Sequence, residues 1–410
     1  MAVNLPELLP LHPIAGLKIG TACAQIKQTG HDDLTLFELP SDSTCAAVFT
    51  RNAFCAAPVT IAKQHLAATT PRYLLINSGN ANAGTGERGL HDALACCETV
   101  AQLTECAINE VLPFSTGVIG NPLPIEKMRV AIPTAKAALN ANGWEKAAYA
   151  IMTTDTGPKG ESIQSVIDGH TVTVTGIVKG AGMIKPDMAT LLVFIATDAT
   201  IEASVLQQCL TQAMEESFHR ITVDGDTSTN DSCVLIATGQ NSLPPITNKQ
   251  DCTTLCNLIT HVCRQLAKKV VRDAEGATKF ITIDIEQGCS KQECLDVAYT
   301  IAHSPLVKTA FFASDANWGR ILAAVGRAGV ENLDIQAVKI YLGDVCIVEK
   351  GGVAESYTEE QGQRIMSEAE IRIRVLLGRI KNDDENGYST RIWTSDLSHD
   401  YVRINAEYRT

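Results

Sequence analysis

The segment KGAGMIKPDMATLLVFIATDA, residues 179–199, carries the most information in the chain. A glycine-rich loop in it leads to a continuous apolar run, which predicts a buried strand with Thr190 at its head. A threonine in this position can act as a nucleophile whose own α-amine is the base, once a cut before it exposes that amine. Because an α-amine has a reference pKa of about 7.7–8.0, a useful fraction of it is neutral near pH 7.

Outward from this segment, short β-branched runs alternate with alanine-rich stretches of helical period, which indicates a chain that mixes helices and strands. We predict strands at 34–39, 73–77, 111–115, 171–178, 190–197, 233–237 and 279–285, and helices at 89–103, 201–218 and 253–272. Further strands are predicted at 338–342, 345–349 and 370–377. The last group indicates a smaller C-terminal α/β domain, and we place the boundary between residues 285 and 286.

Composition and charge narrow the class of protein. The 410 residues carry 34 Lys and Arg against 46 Asp and Glu, a formal charge of -12, so a polyanion such as nucleic acid is a poor partner. The longest apolar run, 191–196, is far shorter than the roughly 20 residues of a membrane-spanning helix. The start MAVNLPELLPLHP lacks the pattern of a secretory signal, so we expect a cytoplasmic protein that does not enter the membrane.

The cysteines and histidines do not predict a metal site. Fourteen cysteines are scattered along a long chain, which favours buried free thiols over a disulfide framework. Cys252, Cys256, His261 and Cys263 come closest to a cluster, but their spacing matches no familiar zinc pattern. Since the three cysteines share one apolar stripe of a predicted helix, we expect them to pack in the core and expect no metal.

Two glycine-rich stretches admit a second interpretation. GTGERG, with Gly84, Gly86 and Gly89, has the spacing of a dinucleotide-binding loop, but the polar stretch NSGNANA separates it from the preceding strand. A turn rich in Gly and Asn explains these residues without a ligand. The KGAG loop at 179–182 could instead cradle an anion, although the order of residues in a P-loop is missing.

Ordered motifs over nearly the whole chain resemble the ornithine acetyltransferase family of arginine biosynthesis. They are GLKIGTACAQIK, VFTRNAFCAAPV, INSGNANAGTG, FSTGVIG, IMTTDT, KGAGM, MAT, VDGDTSTNDS, VRDAEGATKF, DANWGR and YVRINAEYRT. The departures are Ala181, where a serine is common in the family, and Lys185 and Asp187 in the loop before the apolar run. These positions bear on the rate of cleavage rather than on the nucleophile.

The resemblance implies a fold, a self-cleavage and an activity. The fold is of the α+β class, an αββα-type sandwich around the nucleophile strand with a smaller C-terminal α/β domain. Family members cleave their own chain within Met-Ala-Thr, here between Ala189 and Thr190. The catalytic domain, 1–285, would thus be cut in two. The implied enzyme is a glutamate N-acetyltransferase that moves acetyl from N-acetylornithine to glutamate through an acyl-enzyme.

The resemblance also implies the site residues. Thr190 is the nucleophile, and Thr116 with Gly117 supplies the donors for the oxyanion. Substrate contacts fall on Thr153, Lys179, Thr190, Glu275, Asn405 and the terminal Thr410. Lys179 would face an α-carboxylate and Glu275 the ornithine ammonium. From the residue types alone, a solvated lysine and a helix-end carboxylate are the simpler interpretations of these two positions.

Partners and alternatives follow from the same resemblance. It implies N-acetylornithine and glutamate as substrates, no cofactor, and an assembly of two α and two β chains. Some family members also accept acetyl-CoA as a co-substrate and act as amino-acid N-acetyltransferases, and no motif in the sequence separates these from the others. Two further hypotheses stay open at this point: an aminopeptidase or amidase on a related self-cleaving scaffold, and an anion-binding module that uses the KGAG loop.

Overall fold

A computed structural model describes residues 2–27, 30–185, 191–242, 244–380 and 387–407. The chain divides into two compact units. We call Pro6–His219 with Asp226–Val270 the larger unit, and Met1–Leu5, Arg220–Gly225 and Val271–Thr410 the smaller unit. The catalytic and C-terminal domains predicted with a boundary at 285/286 stay a prediction, and the units themselves divide at 270/271.

The described residues form strands and helices with the following bounds. The strands are β1 Lys18–Ala22, β2 Leu34–Glu38, β3 Thr44–Phe49, β4 Tyr73–Asn80, β5 Val111–Val118, β6 Lys159–Ile167, β7 His170–Lys179, β8 Leu192–Thr197, β9 Ser232–Ala237, β10 Phe280–Gly288, β11 Lys339–Leu342, β12 Val345–Glu349, β13 Gly352–Val353, β14 Glu370–Leu376 and β15 Tyr388–Ser395. The α-helices are α1 Ala57–Ala68, α2 Gly86–Thr104, α3 Ile125–Ala137, α4 Trp144–Ala150, α5 Ala203–Glu216, α6 Lys249–Arg272, α7 Lys291–Ala302, α8 Pro305–Phe312, α9 Trp318–Gly326, α10 Glu359–Met366 and α11 His399–Ala406.

The larger unit contains two mixed sheets. One has the strand order β1-β2-β4-β5, and the other has the order β3-β9-β8-β7-β6. In the first, β4 and β5 run parallel; in the second, β8 and β9 do. An Asp168-Gly169 turn, in which both residues have positive φ, joins β6 to β7 as an antiparallel hairpin. The two parallel pairs matter for the site, because the ends of their strands carry its residues.

The main core of the larger unit lies between the two sheets. Phe194 of β8 is fully buried there and contacts Phe37 and Phe114 of the opposite sheet, with ring centroids 5.5 and 5.2 Å apart. The tilted and edge-on ring arrangements are those that aromatic pairs prefer. Alternate residues Leu192, Phe194 and Ala196 all belong to this core. The packing therefore fixes β8 as a rigid central strand.

Helices cover the outer faces of both sheets. Residues of α2 and α3 form a second core with the outer face of the β1-β2-β4-β5 sheet. On the other side, α5 packs against β3, and a side chain of α6 lies close to Gly176 of β7. The layers are thus helix, sheet, sheet and helix. The α+β class and the αββα-type sandwich around the predicted nucleophile strand are confirmed.

The smaller unit is built on one six-stranded mixed sheet of order β13-β12-β11-β14-β10-β15. Helices α7, α8 and α9 bury an aliphatic core on one face, contributed by alternate residues of the strands, such as Ile281, Ile283 and Ile285 of β10. At its C-terminal end, the Ser398 hydroxyl caps α11 and also bonds to the carbonyl of Gly276, 2.6 Å away. A small α/β domain toward the C-terminus agrees with the predicted fold class.

Among the described residues, the cysteines are mostly free thiols, with one exception that the sequence did not indicate. Cys209 of α5 and Cys256 of α6 form a disulfide, with their Cα atoms 5.0 Å apart. Cys263 is buried and free, and Cys252 is partly buried and free. The described residues also contain no helix that is long and apolar enough to cross a membrane.

Candidate active site

The ends of the parallel strands β4 and β5 form the floor of the candidate site. In their register, Ser78 lies opposite Thr116, and Gly79 lies opposite Gly117. Gly117 has φ +136°, and a Cβ there would come within 2.2 Å of the Gly79 carbonyl carbon. Only glycine fits a backbone this close at this φ. The two predicted oxyanion residues therefore sit on a tightly held, irregular strand end.

Lys179, the last residue of β7, reaches this floor. Its side chain is only 4% exposed, and its Nζ donates a hydrogen bond to Oγ1 of Thr116 over 3.2 Å. Since a hydroxyl that accepts a bond keeps its own hydrogen, Thr116 still has a donor to offer. The structure thus brings together Lys179 and Thr116, which are 63 residues apart in sequence.

A buried ion pair behind Lys179 was not indicated by the sequence. The Oδ1 atom of Asp155 lies 2.6 Å from Nζ of Lys159, and both side chains are fully buried. Burial alone would raise the pKa of Asp155, but the charges of Lys159 and Lys179 hold that pKa below its usual range. The carboxylate is therefore ionised, and it partly balances the cation of Lys179.

The same carboxylate positions two neighbouring segments. Its Oδ1 accepts the amide of Gly180 over 2.7 Å, and its Oδ2 accepts the amide of Thr153 over 2.8 Å. Gly180 directly follows Lys179, and Thr153 is a predicted substrate contact. Asp155 thus fixes two predicted binding residues relative to each other. It lies in the motif IMTTDT, which was recognised without a role for its aspartate.

A network of buried amides and hydroxyls ties the strand ends together. Nδ2 of Asn230 donates to the carbonyls of Ala81 and Ser115, over 2.6 and 2.9 Å. The hydroxyl of Ser115 in turn donates to Oδ1 of Asn77 over 2.6 Å. Buried networks of this kind rigidify when every member is satisfied. The polar stretch NSGNANA, which forms the end of β4 and leads towards α2, therefore helps to hold the site floor in place.

Lys27 is a second lysine beside the site that sequence reasoning missed. Its Nζ donates to the carbonyl of Met152, next to Thr153, and its side chain covers Gly79 so closely that a Cβ there would lie 2.4 Å from it. Desolvation by surrounding atoms and the nearby charge of Lys179 lower the pKa of Lys27 to about 8.

The strand that carries the predicted nucleophile begins at Leu192, in the centre of its sheet. The cleavage residues Ala189 and Thr190 lie outside the described residues. Leu191, the first described residue after them, is held from both sides: its amide donates to Oδ1 of Asp231 over 2.9 Å, and its carbonyl accepts the amide of Ser232 over 3.1 Å. Leu191, the residue that follows Thr190, is therefore fixed in place.

The remaining predicted substrate contacts belong to the smaller unit. Nδ2 of Asn405, on α11, donates to Oε2 of Glu275 over 2.8 Å, and Glu275 is 9% exposed. The structure thus joins two residues that the sequence separates by 130 positions. Thr410 lies outside the described residues. The roles assigned to all of these side chains stay predictions.

No group of three or more His, Cys, Asp or Glu in the described part of the chain is arranged to hold a metal ion. The cysteines of the cluster at 252–263 lie along α6, where Cys263 is fully buried and Cys256 is bonded to Cys209. What the site offers instead is a buried cation, a hydroxyl donor and a glycine backbone with positive φ. This set suits the binding of a carboxylate and of a developing oxyanion.

Comparison with known proteins identifies one family. The sequence model of the ArgJ family matches residues 18–410. The arginine biosynthesis bifunctional protein ArgJ of Pseudomonas syringae pathovar tomato is 55% identical over 100% of both chains. A crystal structure of the bifunctional protein ArgJ of Bacillus halodurans is 38% identical and covers 52% of this chain and 97% of its own, with a TM-score of 0.48. A Mycobacterium tuberculosis ornithine acetyltransferase, solved with ornithine, is 33% identical over 44% of this chain and 93% of its own, with a TM-score of 0.37.

Proposed function

The chain belongs to the ArgJ family of arginine biosynthesis acyltransferases, and we propose that it moves an acetyl group from N-acetylornithine to glutamate through an acyl-enzyme on Thr190. The observation that carries the proposal is the contact of the buried Lys179 with the Thr116 hydroxyl. A cation for the substrate carboxylate and a donor for the oxyanion thereby stand side by side. Acyl transfer between amino acids needs both.

Self-cleavage comes first in the proposed mechanism. The Thr190 hydroxyl attacks the carbonyl carbon of Ala189, the peptide bond to the Thr190 nitrogen breaks, and water hydrolyses the resulting ester. The products are chains of residues 1–189 and 190–410. The freed α-amine of Thr190 then serves as the base in every later turnover, since its reference pKa of about 7.7–8.0 leaves part of it neutral.

The transfer itself has two halves. The Thr190 hydroxyl attacks the acetyl carbonyl of N-acetylornithine, ornithine leaves with the proton that the amine took, and the acetyl group stays as an ester. The amine of glutamate then attacks this ester and restores the hydroxyl. Both tetrahedral intermediates carry an oxyanion, which the Thr116 hydroxyl and the Gly117 amide would stabilise.

Substrate recognition in this proposal uses charge complementarity. Lys179 pairs with the α-carboxylate that ornithine and glutamate share, beside Thr153. Glu275, held by Asn405, receives the side-chain ammonium of ornithine, and Thr410 completes the substrate contacts. The use of acetyl-CoA, the assembly of two α and two β chains and the cytoplasmic location stay predictions from the sequence.

The decisive experiment incubates the purified protein with N-acetylornithine, with and without glutamate. We expect ornithine release to depend on glutamate and to be matched by N-acetylglutamate. An amidase or aminopeptidase would instead release ornithine and acetate equally fast in both. Intact mass, taken on the same sample, tests the anion-binding module, which would show one uncut chain of 43.9 kDa.

Replacing Thr116 with valine removes only its hydroxyl. We expect kcat to fall about 10²–10³-fold with little change in KM, because one oxyanion donor is lost in the transition state. Thr99→Val is the matched control, since the Thr99 hydroxyl bonds to the carbonyl of Ala95 within α2, away from the site. A Thr116→Val protein as active as this control would remove Thr116 from the mechanism.

Replacing Lys179 with methionine keeps the length of the side chain and removes its charge. We expect KM to rise about 10–100-fold for both amino-acid substrates, which corresponds to the loss of one hydrogen bond to a charged group of about 1.5–3 kcal/mol. Lys269→Met is the control, because Lys269 is also largely buried but binds Gly160 and Glu161. Unchanged KM for both substrates would contradict a role in carboxylate binding.

A further inference from the structure

The α-amine of Thr190 cannot be the base for self-cleavage, because it is still part of a peptide bond at that stage. The first step of the proposed function therefore needs another group to take the hydroxyl proton. General bases contribute about 10²–10⁴-fold to such steps, so an uncatalysed proton loss is a poor alternative. A buried titratable group that no other part of the mechanism uses is a candidate for this role.

Asp231 is such a group. It directly precedes β9, whose parallel register pairs Ser232 with Leu192 of β8. Its residue exposure is 1%, and its Oδ1 accepts the amide of Leu191 over 2.9 Å. Among the described residues, the other oxygen, Oδ2, is buried and has no hydrogen-bond partner. A buried carboxyl oxygen without a partner is costly, which indicates a purpose beyond packing.

Covalent geometry places this carboxyl near the reacting residue. The Leu191 nitrogen is bonded to the carbonyl carbon of Thr190, and four bonds separate it from the Thr190 hydroxyl oxygen. Standard bond lengths keep that oxygen within roughly 5 Å of the nitrogen whatever the rotamer. Since Oδ1 of Asp231 lies 2.9 Å from the same nitrogen, it lies within roughly 8 Å of the hydroxyl oxygen whatever the rotamer.

The environment also suits proton transfer. Burial raises the pKa of Asp231 well above its usual range, against the opposing effects of the Leu191 amide, the Lys179 charge and Ser228. Ser228 is near enough to act on the carboxyl, although it makes no hydrogen bond of ordinary geometry to Oδ2. A carboxyl with a raised pKa is a stronger base than an exposed one, and it can also return the proton.

We propose that Asp231 is the proton acceptor for the self-cleavage of this chain. This inference rests on the proposed function. Asp231 takes the proton of the Thr190 hydroxyl as its oxygen bonds to the carbonyl carbon of Ala189. The carbon–nitrogen bond then breaks, its electron pair stays on the Thr190 nitrogen, and Asp231 gives the proton to that nitrogen. Water hydrolyses the ester, which yields the Ala189 carboxylate and restores the hydroxyl.

Asp231→Asn tests the proposal, because asparagine keeps an acceptor for the Leu191 amide but cannot take a proton. The chain is made by cell-free synthesis, and its cleavage is followed by intact mass. We expect cleavage at least about 100-fold slower than in the wild type. Asp198→Asn is the matched control: Asp198 follows the other end of β8, is 7% exposed and accepts the amide of Thr173 over 3.0 Å. It should cleave within threefold of the wild type.

A second variant separates proton transfer from structure. In Asp231→Ala, added formate can occupy the vacated space and supply a carboxylate, so the cleavage rate should rise with formate and not with chloride. A folded Asp231→Asn protein that cleaves as fast as the wild type overturns the proposal, and so does a folded Asp231→Ala protein that ignores formate. Failure of the proposed function is distinct, since the wild type itself would then remain one uncut chain or would release ornithine without glutamate.

Discussion

A Thr190→Ala protein is expected to remain a single chain of 43.9 kDa and to lose acetyl transfer by about 10⁴-fold or more. Two losses combine in this variant. Without the hydroxyl, no ester can form with Ala189 or with the acetyl group, and without the cut, no α-amine is available as a base. Intact mass and the ornithine-release assay measure the two losses separately.

Two companion variants sharpen this test. Thr190→Ser keeps a hydroxyl and should still be cut, at a reduced rate. Thr197→Val removes the hydroxyl of the fully buried threonine at the opposite end of β8 and should be cut and active like the wild type. If Thr190→Ala still appeared as two fragments, or still transferred acetyl at the normal rate, Thr190 would not be the nucleophile.

Asp155→Asn is expected to lower the free energy of unfolding by about 3–5 kcal/mol, because it leaves the buried ammonium of Lys159 without its counter-charge. Urea denaturation of the purified protein measures this loss. The double variant Asp155→Asn with Lys159→Met removes both charges and should be less destabilised than the single variant. A single variant as stable as the wild type would show that the pair contributes little.

The same carboxylate should make stability depend on pH in one direction. Because the pKa of Asp155 is lower in the folded protein than its unfolded value of about 3.9, its contribution is complete above that value. It is lost as the pH falls through the folded pKa. Below about pH 4, the stability of the wild type should therefore fall more steeply than that of Asp155→Asn.

Much of the fold could be predicted because hydrophobic runs mark buried strands. The run predicted at 233–237 is observed as Ser232–Ala237, and the helix predicted at 253–272 begins earlier, at Lys249. The strand predicted at 111–115 continues to Val118, because Thr116 and Gly117 stay in the ladder beside β4 despite their polar, flexible character. Local propensity does not reveal a strand end that tertiary contacts stabilise.

β6 was missed for a related reason. Its sequence KGESIQSVI is largely polar, and it lies at the edge of its sheet, where only one neighbour pairs with it. The Asp168-Gly169 turn was a usable hairpin signal, and it was overlooked. An edge strand needs few apolar residues, so periodicity alone identifies it poorly.

The residues of the candidate site also differ in how far the sequence could predict them. Thr116 and Lys179 were named through the family resemblance. Their hydrogen bond is a tertiary contact that sequence spacing does not predict. Asp155 and Asp231 were missed because nothing in their local sequence distinguishes a buried carboxylate from a loop residue. Their significance comes from burial and from partners far along the chain, Gly180 for one and Leu191 for the other.

The strand order β3-β9-β8-β7-β6 has a consequence for the proposed cleavage before Thr190. A cut before Thr190 would leave β3, β6 and β7 in one product and β8 and β9 in the other. Strands from the two products would then be hydrogen-bonded neighbours in the same sheet. Neither product contains the whole of this five-stranded sheet. If the two pieces were expressed from separate genes, we expect them to assemble poorly, because each lacks part of this sheet. The intact precursor needs the covalent link between them only until the sheet has folded.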